Sequence, residues 1–378
     1  MKKPQIVIIA LFIAVLALGI WGCNGSGGPG GPAGQSIRIA ANLPLTGPVA
    51  AWSGEYPNGF RLGLEEACKE LGVDPKVFIT DFQDNAGKPA QAASVVQKQM
   101  AEGFDIYISG SSEAAKAVVA QVDPTGRPHF IAAFDPFLAA ESPSRLRIMA
   151  NSKVEAPIFI AYAKKKQAKS VYVIHVNSAY ANEEFGRIVE PALKAEGIDV
   201  TDEAFEFENK DFKTLALKAA RANPDLIFVC GYSFQILPLI RDLRANGLVK
   251  DGRVMGVMDV VDFLYDGTPA SELEGLVFAC PLFDIPGATP KAAEWRQRYQ
   301  QRFNRNPSYV PAYAYDNAWA LVKAYKDSGK VNVESIRGSM PFQGLTGEIK
   351  LDSDGDIIAT VALAELGPDG KPRQIPLP

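Results

Sequence analysis

The sequence predicts an α/β protein in which two parallel sheets follow one another along the chain, each with helices on both faces. Short β-branched segments alternate with stretches whose apolar residues recur at helical spacing, which is the pattern of βα units. This alternation runs from residue 37 to 133 and begins again near residue 154. Without its N-terminal segment the chain still exceeds the roughly 250–300 residues at which one core usually divides. Two α/β domains are therefore expected.

The first block contains four predicted strands. Its first helix is typical, because Phe60, Leu64 and Leu71 recur at helical spacing. The predicted strands are 37–42, 76–80, 105–109 and 129–133, and the predicted helices are 58–71, 89–100 and 113–122.

The second block repeats the pattern and is followed by helices. Asp354-Gly355 lies between two apolar runs near the end of the chain, which is a strong hairpin signal. The predicted strands are 170–175, 199–207, 225–230, 252–256 and 275–280, and the predicted helices are 154–166, 181–196, 212–221, 234–245, 290–303 and 310–327.

The first residues have the order of a secretory signal. Lys2 and Lys3 precede the apolar run 6–21, which is shorter than the about 20 residues of a membrane span. A cysteine directly after the small residue Gly22 resembles a bacterial lipoprotein signal, in which Cys23 is lipidated and becomes the new N-terminus. An uncleaved or ordinarily cleaved signal with an incidental cysteine is the alternative.

The segment after Cys23 is rich in glycine, proline and serine, which is the composition of a flexible tether. We therefore predict a signal peptide over 1–22 and a lipid-anchored tether over 23–36. The expected location is the periplasm or the cell surface, with the protein held at the membrane by its lipid alone.

Composition and charge limit the classes of partner. The chain is 47% hydrophobic with a mean hydropathy of −0.01, as in ordinary globular proteins. Its formal net charge of −4 argues against nucleic acid as a partner, because nucleic-acid binding requires a basic surface.

No catalytic or metal-binding set is visible in the sequence. The two histidines, His129 and His175, border apolar strands, and no G-x-S-x-G elbow or Walker sequence occurs. The G-x-G-x-x-G at 25–30 follows no strand, and the acidic segment 352–356 lacks the spacing of a calcium loop. We expect no enzyme activity, no cofactor and no metal. Three cysteines look like buried apolar residues, and the sequence leaves their pairing open: Cys68, Cys230 and Cys280.

Candidate binding residues follow directly after predicted strands. Trp52 lies in the loop after the first strand, where an aromatic ring could cover a cleft. Ser111 and Ser112 join a strand to a helix, where a serine can cap the helix while free N–H groups bind an anion. Ligands of open parallel sheets bind outside the carboxyl ends of the strands. Further candidates at equivalent positions are Phe134, Asp135, Tyr180, Tyr232 and Asp259.

Several segments carry a resemblance to a known family. They are 37–52, 59–64, 81–84, 180–186, 313–316 and the ending 344–356. Together they resemble the type I periplasmic solute-binding proteins, the leucine/isoleucine/valine-binding group that serves ABC transporters. The resemblance implies two doubly wound lobes joined by three crossings, near residues 150, 281 and 343. It also implies that the lobes close over a ligand. The implied lobes are 37–150 with 282–342, and 151–281 with 343–378.

The resemblance also implies roles for individual residues. Trp52 would cover the ligand and Ser111 would bind its carboxylate. Tyr180 and Tyr232 would close on it from the second lobe, and an acid near Asp259 would meet an ammonium group.

One departure leaves the ligand open. Where amino-acid binders of this family present an Ala-Thr pair, this chain has Ala133-Phe134-Asp135. Either Asp135 meets the ligand cation, or the ligand is an aromatic carboxylate or an amide. The expected function is capture of a small organic ligand and its delivery to an ABC permease. The amino acid would be branched-chain or aromatic, and a sensor that signals through a partner is the alternative.

Overall fold

Two large sheets, each at the centre of its own α/β lobe, form the computed structural model, which describes residues 36–377. The predicted signal peptide, Cys23 and the tether up to residue 35 lie outside the described residues. The α/β class with two lobes is confirmed.

The sheet of the first lobe is parallel throughout, in the order β2-β1-β3-β4-β5. Because β1 lies between β2 and β3, the loops that leave β1 and β3 diverge at the carboxyl edge and open a crevice. The strands are β1 (Ile37–Leu43), β2 (Phe78–Asp84), β3 (Ile106–Gly110), β4 (His129–Ala132) and β5 (Arg145–Leu146). The helices along this part of the chain are α1 (Ala50–Ser53), α2 (Tyr56–Leu71), α3 (Pro89–Ala101) and α4 (Ser112–Val122).

The sheet of the second lobe has seven strands, in the order β14-β13-β10-β9-β8-β6-β7. Five are parallel, and β13 and β14 add an antiparallel edge that the sequence patterns did not predict. The strands are β6 (Ser170–Val176), β7 (Asp199–Phe205), β8 (Leu226–Cys230), β9 (Val254–Gly256), β10 (Leu276–Pro281), β13 (Val361–Leu366) and β14 (Pro372–Ile375). The helices are α5 (Ser152–Lys165), α6 (Ala179–Glu184), α7 (Glu190–Ala195), α8 (Lys213–Ala222) and α9 (Ser233–Ala245). A π-helical turn, Phe185–Val189, joins α6 to α7.

Three further helices and a two-stranded ribbon complete the fold. Helix α11 packs on α2 at very short range. A Cβ atom added to Gly59 would lie only 2.0 Å from the carbonyl oxygen of Pro311, which leaves no room for any other residue there. Gly63 likewise faces the backbone of Tyr315, so glycine at these two positions allows the helices to touch. The helices are α10 (Ala292–Phe303), α11 (Tyr309–Ser328) and α12 (Val333–Gly338), and the ribbon is β11 (Phe342–Gln343) with β12 (Glu348–Ile349).

The hairpin predicted across Asp354-Gly355 forms, but it is short. Only one antiparallel bridge spans the turn, between Leu351 and Ile357. The Asp352 carboxylate accepts the backbone N–H groups of residues 354 and 356 and holds a tight turn. This turn directs Asp356 into the protein interior.

A buried arginine connects this turn to the first lobe. The Arg147 side chain is fully buried, and its Nε donates to Asp356 Oδ1 at 2.9 Å. Its Nη1 donates to the carbonyl of Ala133 at 3.0 Å, and its Nη2 to that of Pro136 at 3.2 Å. Asn151 donates to the same Asp356 oxygen at 2.9 Å. One guanidinium therefore fixes the loop after β4 and the C-terminal segment together.

A second buried acid holds the segment before β12. The Asp316 carboxylate accepts the backbone N–H groups of Leu345 and Thr346 at 2.8 and 3.0 Å, and the Thr346 hydroxyl at 2.7 Å. Its neighbour Asn317 donates to the carbonyl of Ile148 at 3.1 Å. Helix α11 thus anchors two of the three segments at which the chain is expected to cross between lobes. Within residues 36–377, no helix has both the length and the apolar character that crossing a bilayer requires.

We predict that Asp356→Ala lowers the free energy of unfolding by about 3–5 kcal/mol, because it leaves the Arg147 guanidinium buried without its carboxylate. Urea unfolding followed by circular dichroism measures the change. The control is Asp327→Ala, which breaks an exposed pair with Lys323 and should cost about 0.2–1 kcal/mol. Equal losses in both variants would contradict the central role given to Arg147.

Candidate functional site

The two lobes meet at a small cavity, here called the inner cavity, of about 20 Å³. Loops that follow β1, β3, β4, β6, β8 and β9 supply its walls, as expected for the carboxyl ends of parallel strands. Seven of the nine predicted binding residues line it, together with Val49: Trp52, Ser111, Ser112, Phe134, Tyr180, Tyr232 and Asp259.

Aromatic rings run across the inner cavity from one lobe to the other. Phe134 lies between Trp52 and Tyr180, with ring centroids 5.6 and 5.8 Å away, and Tyr180 lies 5.7 Å from Tyr232. These separations lie in the range of favourable ring contacts. The Phe134 ring therefore occupies the middle of the interlobe site.

The N-terminus of α4 forms the wall of the first lobe. Ser111 has φ +62°, in the left-handed region, and its hydroxyl accepts the N–H of Ala114 at 3.4 Å as a helix cap. The Ser112 hydroxyl accepts the N–H of Asp135 at 3.1 Å and ties the loop after β4 to the helix. The first N–H groups of a helix have no partner within it and carry partial positive charge, so they suit a carboxylate. Strained backbone at such a position is typical of binding sites.

Two predicted residues lie away from the cavity. Ala133 is packed in a small apolar cluster behind the sheet. The carboxylate of Asp135 forms an ion pair with Lys116 at 2.7 Å and accepts the N–H of Phe137. The suggestion that Asp135 meets a ligand cation therefore does not agree with the geometry, because its charge is already neutralised on α4.

Three buried carboxyl groups, here called the acidic cluster, lie in the second lobe: Glu155, Glu184 and Asp259. Asp259 lines the inner cavity, whereas Glu155 accepts the N–H of Met258 at 2.6 Å and Glu184 accepts the Ser152 hydroxyl at 2.6 Å. Within residues 36–377 no Lys, Arg or His forms an ion pair with any of them, and one oxygen of Glu184 has no hydrogen-bond partner.

Burial changes the acidity of this cluster. It raises the pKa of Glu184 to about 8, with the nearby Asp259 acting in the same direction. Burial, then the charge of Glu155, raises the pKa of Asp259 well above its ordinary value. A positive charge brought into the inner cavity would favour the ionised form of these carboxyl groups and lower their pKa, so binding of a cation and loss of their protons would be coupled.

A second space, here called the outer chamber, opens outside the inner cavity with a volume of about 640 Å³. Val49, Ser111 and Tyr232 line both spaces, so the two are adjacent. At the same mouth Glu113 of α4 accepts the N–H of Ala179 at 2.9 Å, which is a direct hydrogen bond between the lobes.

No histidine or described cysteine lines the inner cavity, although Cys230 Sγ lies behind it, 3.6 Å from the Tyr180 hydroxyl. His129 Nε2 is 2.8 Å from the Ser109 hydroxyl, and His175 Nε2 is 2.9 Å from Asp202. The remaining cysteines, Cys68, Cys230 and Cys280, are buried and unpaired. In the described part of the chain, no three His, Cys, Asp or Glu side chains converge as metal ligands.

Sequence patterns missed several residues that the structure brings to the site. Glu155 and Glu184 lie within predicted helices, where an acidic side chain is normally expected to be exposed to solvent. Phe207 and Phe234 flank Tyr232 in the outer chamber. Phe207 is the last residue of a predicted strand, and Phe234 is the first residue of a predicted helix. The rule that identified Tyr232 at the end of a strand could therefore have identified them.

Two α/β lobes with a cavity between the carboxyl ends of their strands are the architecture expected of a protein that binds a ligand between its lobes. The family model described as periplasmic binding protein matches residues 36–371, and the chain belongs to that family. Members of this family bind solutes rather than catalyse reactions.

Curated relatives cover most of the chain. It is 24% identical over 344 residues to the leucine-, isoleucine-, valine-, threonine- and alanine-binding protein of Pseudomonas aeruginosa. The aligned region covers 85% of this chain and 87% of that protein. It is 25% identical over 348 residues to Leu/Ile/Val-binding protein homolog 3 of Brucella melitensis, with 85% and 88% covered.

Solved structures share the fold. A leucine-binding protein from Thermotoga maritima has a TM-score of 0.76 at 20% identity, covering 90% of this chain and 98% of its own. A solute-binding protein from Rhodopseudomonas palustris, solved with 3,4-dihydroxybenzoic acid, also has a TM-score of 0.76 at 20% identity, with 90% and 96% covered.

We predict that the free energy of unfolding falls less steeply between pH 5 and pH 8 in Glu184→Gln than in the wild type. Between its ordinary pKa of 4.5 and its folded pKa of about 8, Glu184 binds more protons in the folded than in the unfolded state. Stability therefore falls as pH rises through this window, and a glutamine removes that contribution.

Melting temperatures of the ligand-free protein across this range measure the effect. The matched control is Glu196→Gln, a half-exposed residue paired with Lys164, which should keep the wild-type slope. Parallel slopes for Glu184→Gln and wild type would contradict the assignment.

Proposed function

We propose that the protein captures a small organic carboxylate between its lobes and delivers it to the permease of an ABC transporter. The observation that carries this proposal is the inner cavity, where the N-terminus of α4 at Ser111 and the carboxyl group of Asp259 lie on walls of one ring-lined space. Its chemistry is that of binding, because the described residues assemble no nucleophile with an activating base at this site.

An amino acid is the first candidate ligand. Its carboxylate would bind the free N–H groups at the start of α4, and its ammonium group would bind Asp259, with Glu155 and Glu184 behind it. The names of the relatives support this candidate, since the Pseudomonas aeruginosa protein is described as binding leucine, isoleucine, valine, threonine and alanine.

An aromatic carboxylate is the second candidate. The specific observation in its favour is the row of rings from Trp52 through Phe134 to Tyr180, which offers faces and edges to another ring. A small amide remains a third ligand class. A sensor with the same fold would differ only in the protein that contacts the closed lobes.

Closure of the lobes would accompany binding. We propose a first lobe of 37–150 with 282–342 and a second lobe of 151–281 with 343–378. Rotation about the three crossings would make or break the hydrogen bond from Ala179 to Glu113. The Trp52 ring would cover the ligand from the first lobe, while Tyr180 and Tyr232 would approach from the second.

We further propose that Cys23 is lipidated and that residues 23–36 tether the binding lobes to a membrane. The order of residues in the leader supports this proposal. Mass spectrometry of the native N-terminus should find a lipid-modified Cys23, and Cys23→Ser should release the protein into the soluble fraction. An unmodified N-terminus elsewhere in the chain would contradict the anchor.

Ligand binding can be tested by thermal shift against amino acids, aromatic carboxylates and amides, because a ligand raises the melting temperature as its concentration exceeds Kd. We expect at least one carboxylate to bind. Trp52→Ala and Ser111→Ala should each lower the affinity for that carboxylate about tenfold or more, since each removes a direct contact with the ligand.

The matched control is Ser94→Ala on α3, whose hydroxyl contacts only its own helix and which should leave affinity unchanged. If no compound in the panel shifts the melting temperature, capture of a small carboxylate is wrong. If a ligand binds but both site variants keep full affinity, the position of the site is wrong.

A further inference from the structure

The inner cavity is too small to hold a solute in this arrangement of the lobes. Its volume of about 20 Å³ is enough for about one water molecule and lies far below the roughly 300–1,000 Å³ of small-molecule sites. The Phe134 ring, only 8% exposed, takes up the space between Trp52 and Tyr180. A ligand must therefore displace this ring or extend elsewhere.

The outer chamber offers the space that the inner cavity lacks. Its volume of about 640 Å³ lies within the range of roughly 300–1,000 Å³ found for small-molecule sites. Ser111 lines both spaces, so a carboxylate held at the N-terminus of α4 can direct the rest of its molecule outward. This path leaves Phe134 in place as the floor of the site.

Three rings form one wall of the outer chamber, here called the aromatic ledge: Phe207, Tyr232 and Phe234. The rings of Tyr232 and Phe234 are nearly parallel, at 7° and 6.0 Å. Phe207 meets both edge-on, with centroid distances of 5.3 and 5.6 Å. Phe234 is 37% exposed, so its ring is accessible from the chamber.

The aromatic ledge is held from behind by a buried amide. Gln235 is fully buried, and its Oε1 accepts the N–H of Tyr232 at 3.1 Å. Its Nε2 donates to the carbonyl of Phe207 at 2.7 Å. One side chain thus fixes the backbones that carry two of the rings, so the ledge is positioned before a ligand arrives.

A polar atom in the same chamber lacks a partner. The Ser178 hydroxyl is buried, and among residues 36–377 it forms no hydrogen bond. A buried hydroxyl without a partner costs free energy, which a polar group of a ligand can recover. This atom and the aromatic ledge point independently to an occupant of the chamber.

We propose that the outer chamber is a second ligand subsite that receives an aromatic extension of the solute. The solute is then a carboxylate with a ring-bearing body longer than a branched-chain side chain. Its carboxylate lies at Ser111, and its distal ring contacts the aromatic ledge. This inference rests on the proposed capture of a carboxylate and specifies its size and shape.

Isothermal titration with three probes tests the proposal: L-leucine, benzoate and biphenyl-4-carboxylate. We expect biphenyl-4-carboxylate to bind about tenfold or more tightly than benzoate, because only its second ring reaches the ledge. Phe234→Ala should reduce this advantage about fivefold or more and change benzoate affinity less than about twofold. Phe207→Leu, which keeps an apolar side chain, should act in the same direction.

The matched control is Leu217→Ala, an exposed apolar residue on α8 outside the chamber, which should change none of the affinities. If benzoate or L-leucine binds and biphenyl-4-carboxylate binds no more tightly, the subsite is wrong while carboxylate capture stands. If Phe234→Ala lowers the affinity for all three probes equally, the proposed subsite is also wrong. If no probe binds while a carboxylate of the thermal-shift panel does, the subsite is wrong and carboxylate capture stands; if that panel also shows no binding, the proposed function fails with the subsite.

Discussion

The position of the binding site depends on one buried cation. The Arg147 guanidinium lies in the interior, where an unpaired charge would be prohibitive, and it therefore requires Asp356 and carbonyl oxygens around it. Those carbonyls belong to the loop after β4 that carries Phe134. The requirement to satisfy one side chain thus sets where the Phe134 ring enters the interlobe space, and it ties this loop to the C-terminal turn.

The site combines groups that are each costly to bury. Desolvation keeps protons on the acidic cluster, and the backbone of Ser111 lies in a region that residues other than glycine rarely adopt. These costs fall on the two walls that would meet opposite ends of a dipolar ligand. The surrounding lobes offset them with well-packed cores, such as the contact of α2 with α11 through Gly59. The packed cores around the site therefore offset the free-energy cost of its buried acids and of the Ser111 backbone.

Periodicity predicted the parallel strands β1 to β4 and β6 to β10 and most of the helices, because local apolar spacing determines them, but it missed β5 and the antiparallel strands β13 and β14. It also indicated the turn at Asp354-Gly355, but it could not reveal the long-range ion pair between Asp356 and Arg147. The rule that binding residues follow strands identified seven residues of the inner cavity. It misplaced Asp135, whose direction depends on Lys116 of another element, and it could not reveal Glu155, which lies within a helix.

The Phe134 ring also has a consequence for hydration. Because the ring fills the centre of the inner cavity, the floor of the cleft excludes bulk solvent even when no solute is present. A solute entering above it then has little ordered water to displace from the deepest part of the site. Its affinity would come mainly from direct contacts with ring faces and helix amides, a balance that favours an enthalpic signature of binding.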